Sequence, residues 1–466
     1  MKKVNLPLED HGVIYAPWEK TFTRLLSPFE EFIHRQTTSG LLLMGAAILA
    51  LVLANSDFAA AYQHLVHTMA GFHIGTFRLE MSLHHWVNDA LMALFFFVVG
   101  MELKREILVG ELADMRKSAL PIVAAIGGMV VPALIFFAFN PAGDASRGWG
   151  IPMATDIAFA VGALALLASR VPKALVTFLV ALAIVDDLGA VLVIALFYTS
   201  ELSLSWLGIA GLLVATLVVF NFAGIRKVAP YFCVAVLLWY AMLQSGVHAT
   251  LAGVLGAFTV PARPKYDPGL FSRYVRELMS RFDASYKADP NIMTNEKLGT
   301  VVQALEDGVN GVQTPLQSLE RGWHLPVAFL VIPIFALFNA GVPLELSSLG
   351  ETLVHPITLG VMFGLLVGKF IGITGACWLA IKLGIAELPT ATRFTQIAGV
   401  AVLGGIGFTM SIFIAELGFY NHADYLVLAK TGILAASLLA GIIGVTWLWL
   451  VAEPGGDKDL EARDQV

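Results

Sequence analysis

Two adjacent acids, Asp186 and Asp187, lie in the middle of a long apolar run, in the segment Ala183-Ile184-Val185-Asp186-Asp187-Leu188-Gly189. A charged side chain at the centre of a membrane helix costs about 2.5–3.5 kcal/mol on insertion, so ionisable residues there are candidates for function. Neighbours on a helix point about 100° apart, which lets both carboxylates face one cavity. Their oxygens suit a small cation such as Na⁺ or Li⁺, and their mutual repulsion makes protons compete with that cation. The pair therefore predicts a site that holds either protons or a cation, and satisfaction by helix-terminal amides is the alternative.

A third acid follows a break in another apolar run, in Gly150-Ile151-Pro152-Met153-Ala154-Thr155-Asp156-Ile157-Ala158-Phe159. The glycine and proline predict an interrupted helix, which lipid tolerates only where the freed backbone groups line a cavity or are buried in protein. Asp156 can offset the positive N-terminal end of a half-helix, and Thr155 can add a neutral oxygen. The alternative is that one of them caps an ordinary helix, and both interpretations can hold together.

Lys369 lies in the middle of a further apolar run, and His248 lies at the beginning of another. Because buried charges are usually paired, we expect Lys369 to contact one of the intramembrane aspartates. Such a lysine is displaced when the cation arrives, or releases a proton itself, or forms a purely structural ion pair. Histidine is the side-chain type that titrates near neutrality, so His248 is a candidate for a pH response. Its alternative role is packing at the membrane boundary.

Further charges lie at the ends of apolar runs. They are expected either to attract cations into a funnel or to be solvated helix ends that support the orientation of the chain. The residues at two of these ends are Glu102, Lys104, Arg105, Glu106 and Glu320. Glu416 and Lys430 also lie near run ends, where long charged side chains extend to the membrane interface.

The composition of the 466-residue chain is that of a membrane protein. Hydrophobic residues make up 57% of it and charged residues 14%, and its mean hydropathy of +0.76 lies outside the range of soluble domains. Since a bilayer core takes about 20 apolar residues per helix, the sequence predicts an all-α polytopic protein of about 12 transmembrane helices. The runs lie at about 38–56, 86–101, 118–140, 149–168, 175–198, 205–222, 230–244, 247–261, 325–344, 356–380, 395–418 and 429–451.

The charges between the runs predict the orientation. Twelve spans put both termini on one side, and the short joints on that side carry most of the lysines and arginines, whereas the opposite joints carry Arg78 and Arg147. The positive-inside rule then places both termini in the cytoplasm. The net charge of −6 indicates no nucleic-acid partner. Cys233 and Cys377 both lie in apolar runs, which excludes a disulfide scaffold or a cysteine metal cluster.

Four segments lie outside the spans. They are a cytoplasmic N-terminal segment at 1–37, an external loop at about 57–85, a cytoplasmic insertion at 262–324 and an acidic cytoplasmic tail at 452–466, so that spans 1 to 8 fill 38–261 and spans 9 to 12 fill 325–451. Alternation from Phe72 to Met81 predicts a β-hairpin in the external loop. A second copy can pair with such a hairpin, which makes a homodimer possible. The insertion is expected to contain one amphipathic helix near residues 270–282.

A second break occurs in the eleventh run, at Gly404-Gly405-Ile406-Gly407-Phe408-Thr409. Paired discontinuous helices in the two halves of a chain are typical of inverted-repeat transporters that bind their substrate at the midplane. Close helix packing is the alternative reason for these glycines.

Five segments together resemble the bacterial sodium/proton antiporters of the NhaA family. The resemblance runs from about residue 38 to residue 450, in the same order, and the apolar runs between the segments agree. The insertion at 262–324 is a departure, since the family usually has a much shorter joint there. The segments are Gly100-Met101-Glu102-Leu103-Lys104-Arg105-Glu106, Ala154-Thr155-Asp156-Ile157-Ala158-Phe159-Ala160, Asp186-Asp187-Leu188-Gly189-Ala190, Val247-His248-Ala249-Thr250-Leu251-Ala252-Gly253 and Gly405-Ile406-Gly407-Phe408-Thr409-Met410-Ser411.

The resemblance implies an inverted-repeat fold, of which this family is itself an example, with two interrupted helices crossing at the midplane. It also implies electrogenic, pH-regulated exchange by alternating access in a bacterial inner membrane, where Na⁺ or Li⁺ leaves the cytoplasm and a larger number of protons enters. Such exchange serves pH homeostasis and salt tolerance. No cofactor is implied beyond the transported ions.

The resemblance assigns roles to the candidate residues. Asp186 and Asp187 would bind the cation and carry the protons, and Lys369 would pair with Asp186. The supporting residues would be Thr155 and Asp156 at the helix crossing, Glu102 and Glu320 at the cytoplasmic entrance, and His248 in the pH response.

Other functions fit parts of the sequence. A sodium-coupled solute symporter is the main alternative, and it needs a substrate pocket that sequence cannot show. An intramembrane aspartyl protease is disfavoured, because its two acids come from separate helices whereas Asp186 and Asp187 are neighbours. A channel is disfavoured because rings of pore charges do not need a buried lysine beside the acids. We therefore predict a secondary transporter and not an enzyme.

Overall fold

The computed structural model describes most of the chain, and its N-terminal part begins with two helices and a hairpin. These are α1 (Gln36–Ala54), α2 (Ala59–His67), β1 (Met69–Ile74) and β2 (Phe77–Ser82). The described residues are 36–75, 77–167, 170–199, 202–264, 267–288, 294–343, 347 and 349–452. Nearly all of the predicted N-terminal segment and of the predicted acidic tail lies outside these ranges.

Seven helices follow before the predicted insertion. They are α3 (Leu83–Val109), α4 (Met115–Phe139), α5 (Ile157–Ala165), α6 (Lys173–Phe197), α7 (Leu204–Phe222), α8 (Val228–Ser245) and α9 (Leu251–Thr259). A 3₁₀ segment, Asp144–Met153, precedes α5, and an extended stretch of three residues joins the two.

Eight helices complete the described chain. They are α10 (Pro268–Ala288), α11 (Glu296–Val312), α12 (Pro315–Asn339), α13 (Leu349–Val354), α14 (Pro356–Lys382), α15 (Phe394–Leu403), α16 (Phe408–Gly418) and α17 (Ala423–Val451). Three of the long helices contain a π-helical turn, in which the hydrogen bonds skip one more residue than in an α-helix. These turns are Trp86–Leu91 in α3, Val327–Val331 in α12 and Gly364–Gly368 in α14.

The all-α polytopic class is confirmed. Among the described residues, nine helical segments are long and apolar enough to cross a membrane, and the number rises to eleven if two bent pairs each form one span. The bent pairs are α1 with α2, at 113°, and α15 with α16, at 48°. The structure falls short of twelve because the predicted run 247–261 forms α9, whose nine residues span only about 14 Å of a core about 30 Å thick.

Strands β1 and β2 form an antiparallel hairpin at the start of α3. Ala70 is paired with Met81, and the tight turn uses Gly75, whose φ of +60° is left-handed. The hairpin packs on the bundle through Trp86, whose indole N–H donates to the carbonyl of Ala70 at 2.8 Å. We call this end of the bundle the hairpin side and the opposite end, where α3 finishes, the funnel side.

The insertion contains two helices, α10 and α11, where one amphipathic helix near 270–282 was expected. Asn295 caps α11 by accepting from the N–H of Leu298 at 3.1 Å. Helix α12 begins at Pro315, earlier than the expected residue 325, because Thr314 and Gln317 form a capping box and proline occupies the first turn. Hydropathy does not show where this helix starts, because its first residues are polar.

Helices α4 and α14 approach each other at glycines. A Cβ atom on Gly127 would lie 2.3 Å from the carbonyl oxygen of Gly372, so only glycine fits at this contact. Lys369 lies one turn before Gly372 on α14, with its side chain against Gly128 of α4 and 1% exposed. The glycine contact therefore brings a lysine into the interior of the bundle.

Candidate ion-binding site

Two breaks in the helices cross inside the bundle. The extended residues before α5 pass the turn between α15 and α16, where the N–H of Asp156 donates to the carbonyl of Ile406 at 2.7 Å and the hydroxyl of Thr155 donates to the carbonyl of Gly404 at 2.9 Å. Glycine favours this close crossing, since a Cβ on Gly407 would lie 2.1 Å from Oγ of Ser411 and 3.1 Å from the carbonyl oxygen of Ala154. Both interrupted segments predicted from sequence are thus present, and they contact each other.

The carboxylate of Asp156 joins the two half-helices. One oxygen accepts from the N–H of Phe159 at 3.0 Å, and the other accepts from the N–H and the hydroxyl of Thr409, at 3.0 and 2.5 Å. Asp156 therefore caps the N-termini of α5 and α16 together, where an anion is favoured by the helix dipoles. Capping and placement at the crossing, which sequence left as alternatives, both hold.

Asp186 and Asp187 lie near the middle of α6, and each is 1% exposed. Asp186 accepts a hydrogen bond from the ammonium of Lys369 at 2.6 Å. In the part of the chain that the structure describes, neither carboxylate oxygen of Asp187 accepts a hydrogen bond. Buried carboxylate oxygens are costly without a partner, so Asp187 is suited to bind a proton or a cation.

A cavity of about 160 Å³ reaches this site from the funnel side. Asp156, Asp187 and Thr409 lie at its inner part, and Glu102 and His324 also line it, from α3 and α12. A Na⁺ ion and several waters fit in such a volume, since one water occupies about 30 Å³ of liquid. The cavity thus gives an aqueous ion access to one side of the aspartate pair.

Arg105 organises the charges at the funnel side. Its guanidinium lies 3.0 Å from Glu320, 3.2 Å from Glu106 and 4.0 Å from Glu102. The two predicted entrance residues, Glu102 on α3 and Glu320 on α12, are thus brought to one arginine, although only Glu102 lines the cavity. Three carboxylates around one arginine leave a net negative mouth, which attracts cations.

The structure places His248 apart from this group. Its Nε2 atom lies 2.7 Å from the carbonyl oxygen of Tyr198, which follows the end of α6 on the hairpin side. The hydroxyl of Tyr198 in turn donates to the carbonyl of Arg147 at 2.7 Å. His248 therefore contacts the end of the helix that carries the aspartates, and it is not among the residues that line the cavity.

Sequence reasoning missed several residues of the site. His324 lies in the polar first half of α12, where no apolar run marks it, and Thr409 was part of a motif but had no role of its own.

Glu416 and Lys430 were expected to extend to the interface. That expectation is wrong, because their side chains are each 11% exposed and lie 2.5 Å apart. The sequence signal for this ion pair was the presence of two opposite charges near the ends of neighbouring apolar runs.

Comparison with known proteins relates the whole bundle to one family. The family model described as Na⁺/H⁺ antiporter 1 matches residues 30–448. The chain is 58% identical to "Na(+)/H(+) antiporter NhaA 1" of Saccharophagus degradans over 441 residues, which are 95% of this chain and 94% of that protein. It is 52% identical to "Na(+)/H(+) antiporter NhaA" of Sulfurimonas denitrificans over 94% of this chain and 99% of that one. The matched range 30–448 includes the crossing, the aspartate pair, Lys369 and the funnel residues.

Proposed function

The chain belongs to the Na⁺/H⁺ antiporter 1 family and is a secondary transporter that exchanges Na⁺ for H⁺, and from this premise we propose that Asp186 and Asp187 bind both ions in turn. The observation that carries this proposal is the buried carboxylate of Asp187, which meets a cavity open to one side and accepts no hydrogen bond from the described chain. Asp186 beside it is held by a buried lysine. Hard oxygen donors in a partly dehydrated site suit Na⁺ and Li⁺.

Competition between the ions follows from the charges. Two adjacent carboxylates and one lysine carry a net charge of about −1 when all are ionised, which is unfavourable away from water unless a proton or a cation joins them. Na⁺ arriving through the funnel displaces protons from the pair, and protons displace Na⁺ when the pair faces the other side. Lys369 either loses its contact with Asp186 when Na⁺ binds or releases a proton of its own.

The exchange is electrogenic in this proposal, because the pair together with Lys369 offers more than one titratable group for each Na⁺ bound. Na⁺ leaves the cytoplasm by alternating access while more than one proton enters. Thr155 and Asp156 support the crossing against which the site moves. Glu102, Glu320 and His248 adjust the response to pH, the two acids at the funnel mouth and the histidine at the end of α6.

The membrane arrangement is part of the same proposal. The funnel side faces the cytoplasm of a bacterial inner membrane, both termini lie there, and the hairpin lies outside. A homodimer forms through the hairpin, since β1 and β2 make a two-stranded sheet whose outer edges accept another strand. No cofactor takes part, and the substrates are Na⁺ or Li⁺ and H⁺.

Proton movement in vesicles tests the site. In everted vesicles energised by respiration, NaCl is expected to release protons with the native chain, and Asp186→Asn and Asp187→Asn are each expected to abolish the release. The matched control is Asp283→Asn, which makes the same change at an exposed position of α10 and is expected to retain full exchange. Membrane levels of each variant are compared by immunoblot.

Full exchange by a folded Asp187→Asn variant would contradict the proposed site. The main alternative, a sodium-coupled symporter, requires Na⁺ flux that depends on an added solute. Reconstituted protein that exchanges Na⁺ for H⁺ in a solute-free buffer excludes that dependence, and a membrane potential generated during exchange tests the electrogenic part.

A further inference from the structure

On three helices, a residue that lines the cavity is followed, in the direction of the hairpin side, by a buried phenylalanine. Helices α3, α12 and α16 line the inner cavity with Val99, Ile332 and Met410. Immediately beyond, toward the hairpin side, each helix contributes one buried phenylalanine to an aromatic layer formed by Phe96, Phe335 and Phe413. The ring centroids of Phe413 lie 5.5 Å from Phe96 and 6.2 Å from Phe335. The layer therefore lies between the level of the cavity and the hairpin side.

A polar cluster lies on the far side of the aromatic layer, on the same three helices and α17. Asn88 and Asn339 exchange hydrogen bonds through their side-chain amides, at 3.2 and 2.8 Å, and both are buried. Glu416 follows Phe413 by one turn, with its Oε1 atom 2.5 Å from the ammonium of Lys430 and 3.5 Å from Nε2 of His84. We call these five residues the outer cluster. Buried polar groups are expensive among membrane helices, which makes such a cluster a candidate for function.

The outer cluster repeats the chemistry of the inner site. In both, a buried carboxylate lies about one hydrogen-bond length from a buried lysine, at 2.6 Å for Asp186 with Lys369 and at 2.5 Å for Glu416 with Lys430. Neutral oxygens belong to both sites: the hydroxyl of Thr155 at the crossing, and in the outer cluster the side-chain oxygens of Asn88 and Asn339, which are linked to Glu416 through His84. A carboxylate with amide oxygens is a donor set for a hard cation.

We propose that the outer cluster is a second station on the Na⁺ route, where Glu416 receives the ion after it leaves Asp186 and Asp187 toward the hairpin side. The ion passes when Phe96, Phe335 and Phe413 separate, and it replaces the ammonium of Lys430 as the partner of Glu416. Between ions His84 contacts the carboxylate, and the two asparagines hold His84 in place. This inference rests on Na⁺ binding by the aspartate pair.

Sided transport measurements test the station. Exchange is measured in right-side-out and in everted vesicles, with Na⁺ added to the outside of each. In Glu416→Gln, the half-saturating Na⁺ concentration on the hairpin side is expected to rise about tenfold relative to that on the funnel side, the change for losing one contact with a charged ligand. Glu416→Asp is expected to restore most of the native ratio, because it keeps the carboxylate.

A folding defect is separated from a transport defect by a second variant. Glu416→Gln leaves Lys430 buried without its partner, whereas Glu416→Gln with Lys430→Met removes both charges. The double variant is expected to show the same shift in the ratio. A ratio unchanged from native in either folded variant overturns the proposal.

Thiol labelling gives an independent measurement that keeps Glu416 and Lys430 intact. Cys233 and Cys377 are replaced by serine, and Asn339→Cys is treated during exchange with a cationic, membrane-impermeant thiol reagent. Modification from the hairpin side that blocks transport is expected. Leu438→Cys is the control: its side chain is 65% exposed in the apolar part of α17, where lipid is expected to keep a membrane-impermeant reagent away. Modification of Asn339→Cys from the funnel side only, or none, overturns the proposal.

The outcomes also separate this inference from the proposed function. Asp187→Asn is expected to abolish exchange in both vesicle orientations, while Glu416→Gln retains exchange with an altered side dependence. Loss of exchange in Asp187→Asn with a native ratio in Glu416→Gln would retain the aspartate site and remove the outer station.

Discussion

Thr409 donates two hydrogen bonds to a single oxygen of Asp156, from its N–H at 3.0 Å and its hydroxyl at 2.5 Å. The other oxygen accepts from the N–H of Phe159. One carboxylate therefore caps the N-termini of two half-helices, although Asp156 and Thr409 are 253 residues apart in the chain. The crossing cannot separate at this point unless one helix gives up its cap. Asp156 is therefore better placed to hold the crossing than to release an ion.

The first prediction concerns this shared cap. Asp156→Ala is expected to lower the free energy of unfolding by about 2 kcal/mol, since capping residues contribute about 1 kcal/mol to each helix. Thermal unfolding of the purified protein in detergent measures the loss. Thr409→Ser keeps the hydroxyl and should unfold near the native temperature, while Thr409→Val should not. Equal unfolding temperatures for the serine and valine variants would contradict a role for the hydroxyl.

The second prediction concerns the buried ion pair. Lys369→Met leaves Asp186 without its partner and is expected to destabilise the fold by about 3–5 kcal/mol, as for other broken buried pairs. Combining Lys369→Met with Asp186→Asn removes both charges and should recover most of that stability. A double-mutant cycle on unfolding temperatures measures the coupling. Additive losses in the double variant would mean that the two side chains do not stabilise each other.

The third prediction concerns the contact between α4 and α14. A Cβ on Gly372 would lie 2.2 Å from the carbonyl oxygen of Gly127, so Gly372→Ala is expected to cost about 1–3 kcal/mol by overpacking. Gly375 on the same helix has no heavy atom within 4 Å of its Cβ position, and Gly375→Ala serves as the control. Unfolding temperatures should fall for the first variant only. Helix propensity favours alanine over glycine in both variants, so a similar fall in both would contradict the close contact at Gly372 as the cause.

The fourth prediction concerns the arginine at the funnel mouth. Arg105 is 37% exposed and its partner Glu320 is 20% exposed, so Arg105→Gln should change the free energy of unfolding by less than about 1 kcal/mol. Transport should change more than stability, because the variant makes the mouth more negative. The half-saturating Na⁺ concentration from the funnel side is expected to fall at low ionic strength, and the difference should disappear at about 1 M salt. A difference that persists at high salt would indicate a direct contact with the ion.

Sequence was sufficient to find the charged residues inside the membrane and the two broken helices. The cost of burying Asp186, Asp187 and Lys369 marks them in any apolar run, and glycine with proline marks the break before Asp156. The pairing of Lys369 with Asp186 was reached only through a resemblance, because residues 183 positions apart carry no local sign of their contact.

The missed features depend on packing between distant segments. The apolar period of a helix does not tell which face meets which neighbour, so the contact of Glu416 with Lys430 and the aromatic layer could not be derived. The helix count was too high because α9 is too short to span the membrane, and the start of α12 was missed because it lies in polar sequence. Hydropathy shows that a segment is apolar, but it does not show how many of its residues form a membrane-spanning helix.

The π-helical turn Gly364–Gly368 ends just before Lys369. It determines the direction in which that side chain points around the axis of α14. A π turn holds one residue more than the α-helix it interrupts, so everything after it is rotated by about 100° around the helix axis relative to an uninterrupted helix. Deleting one residue from this turn would leave α14 apolar, helical and able to cross the membrane. It would also swing the ammonium of Lys369 about a quarter of a revolution away from Asp186.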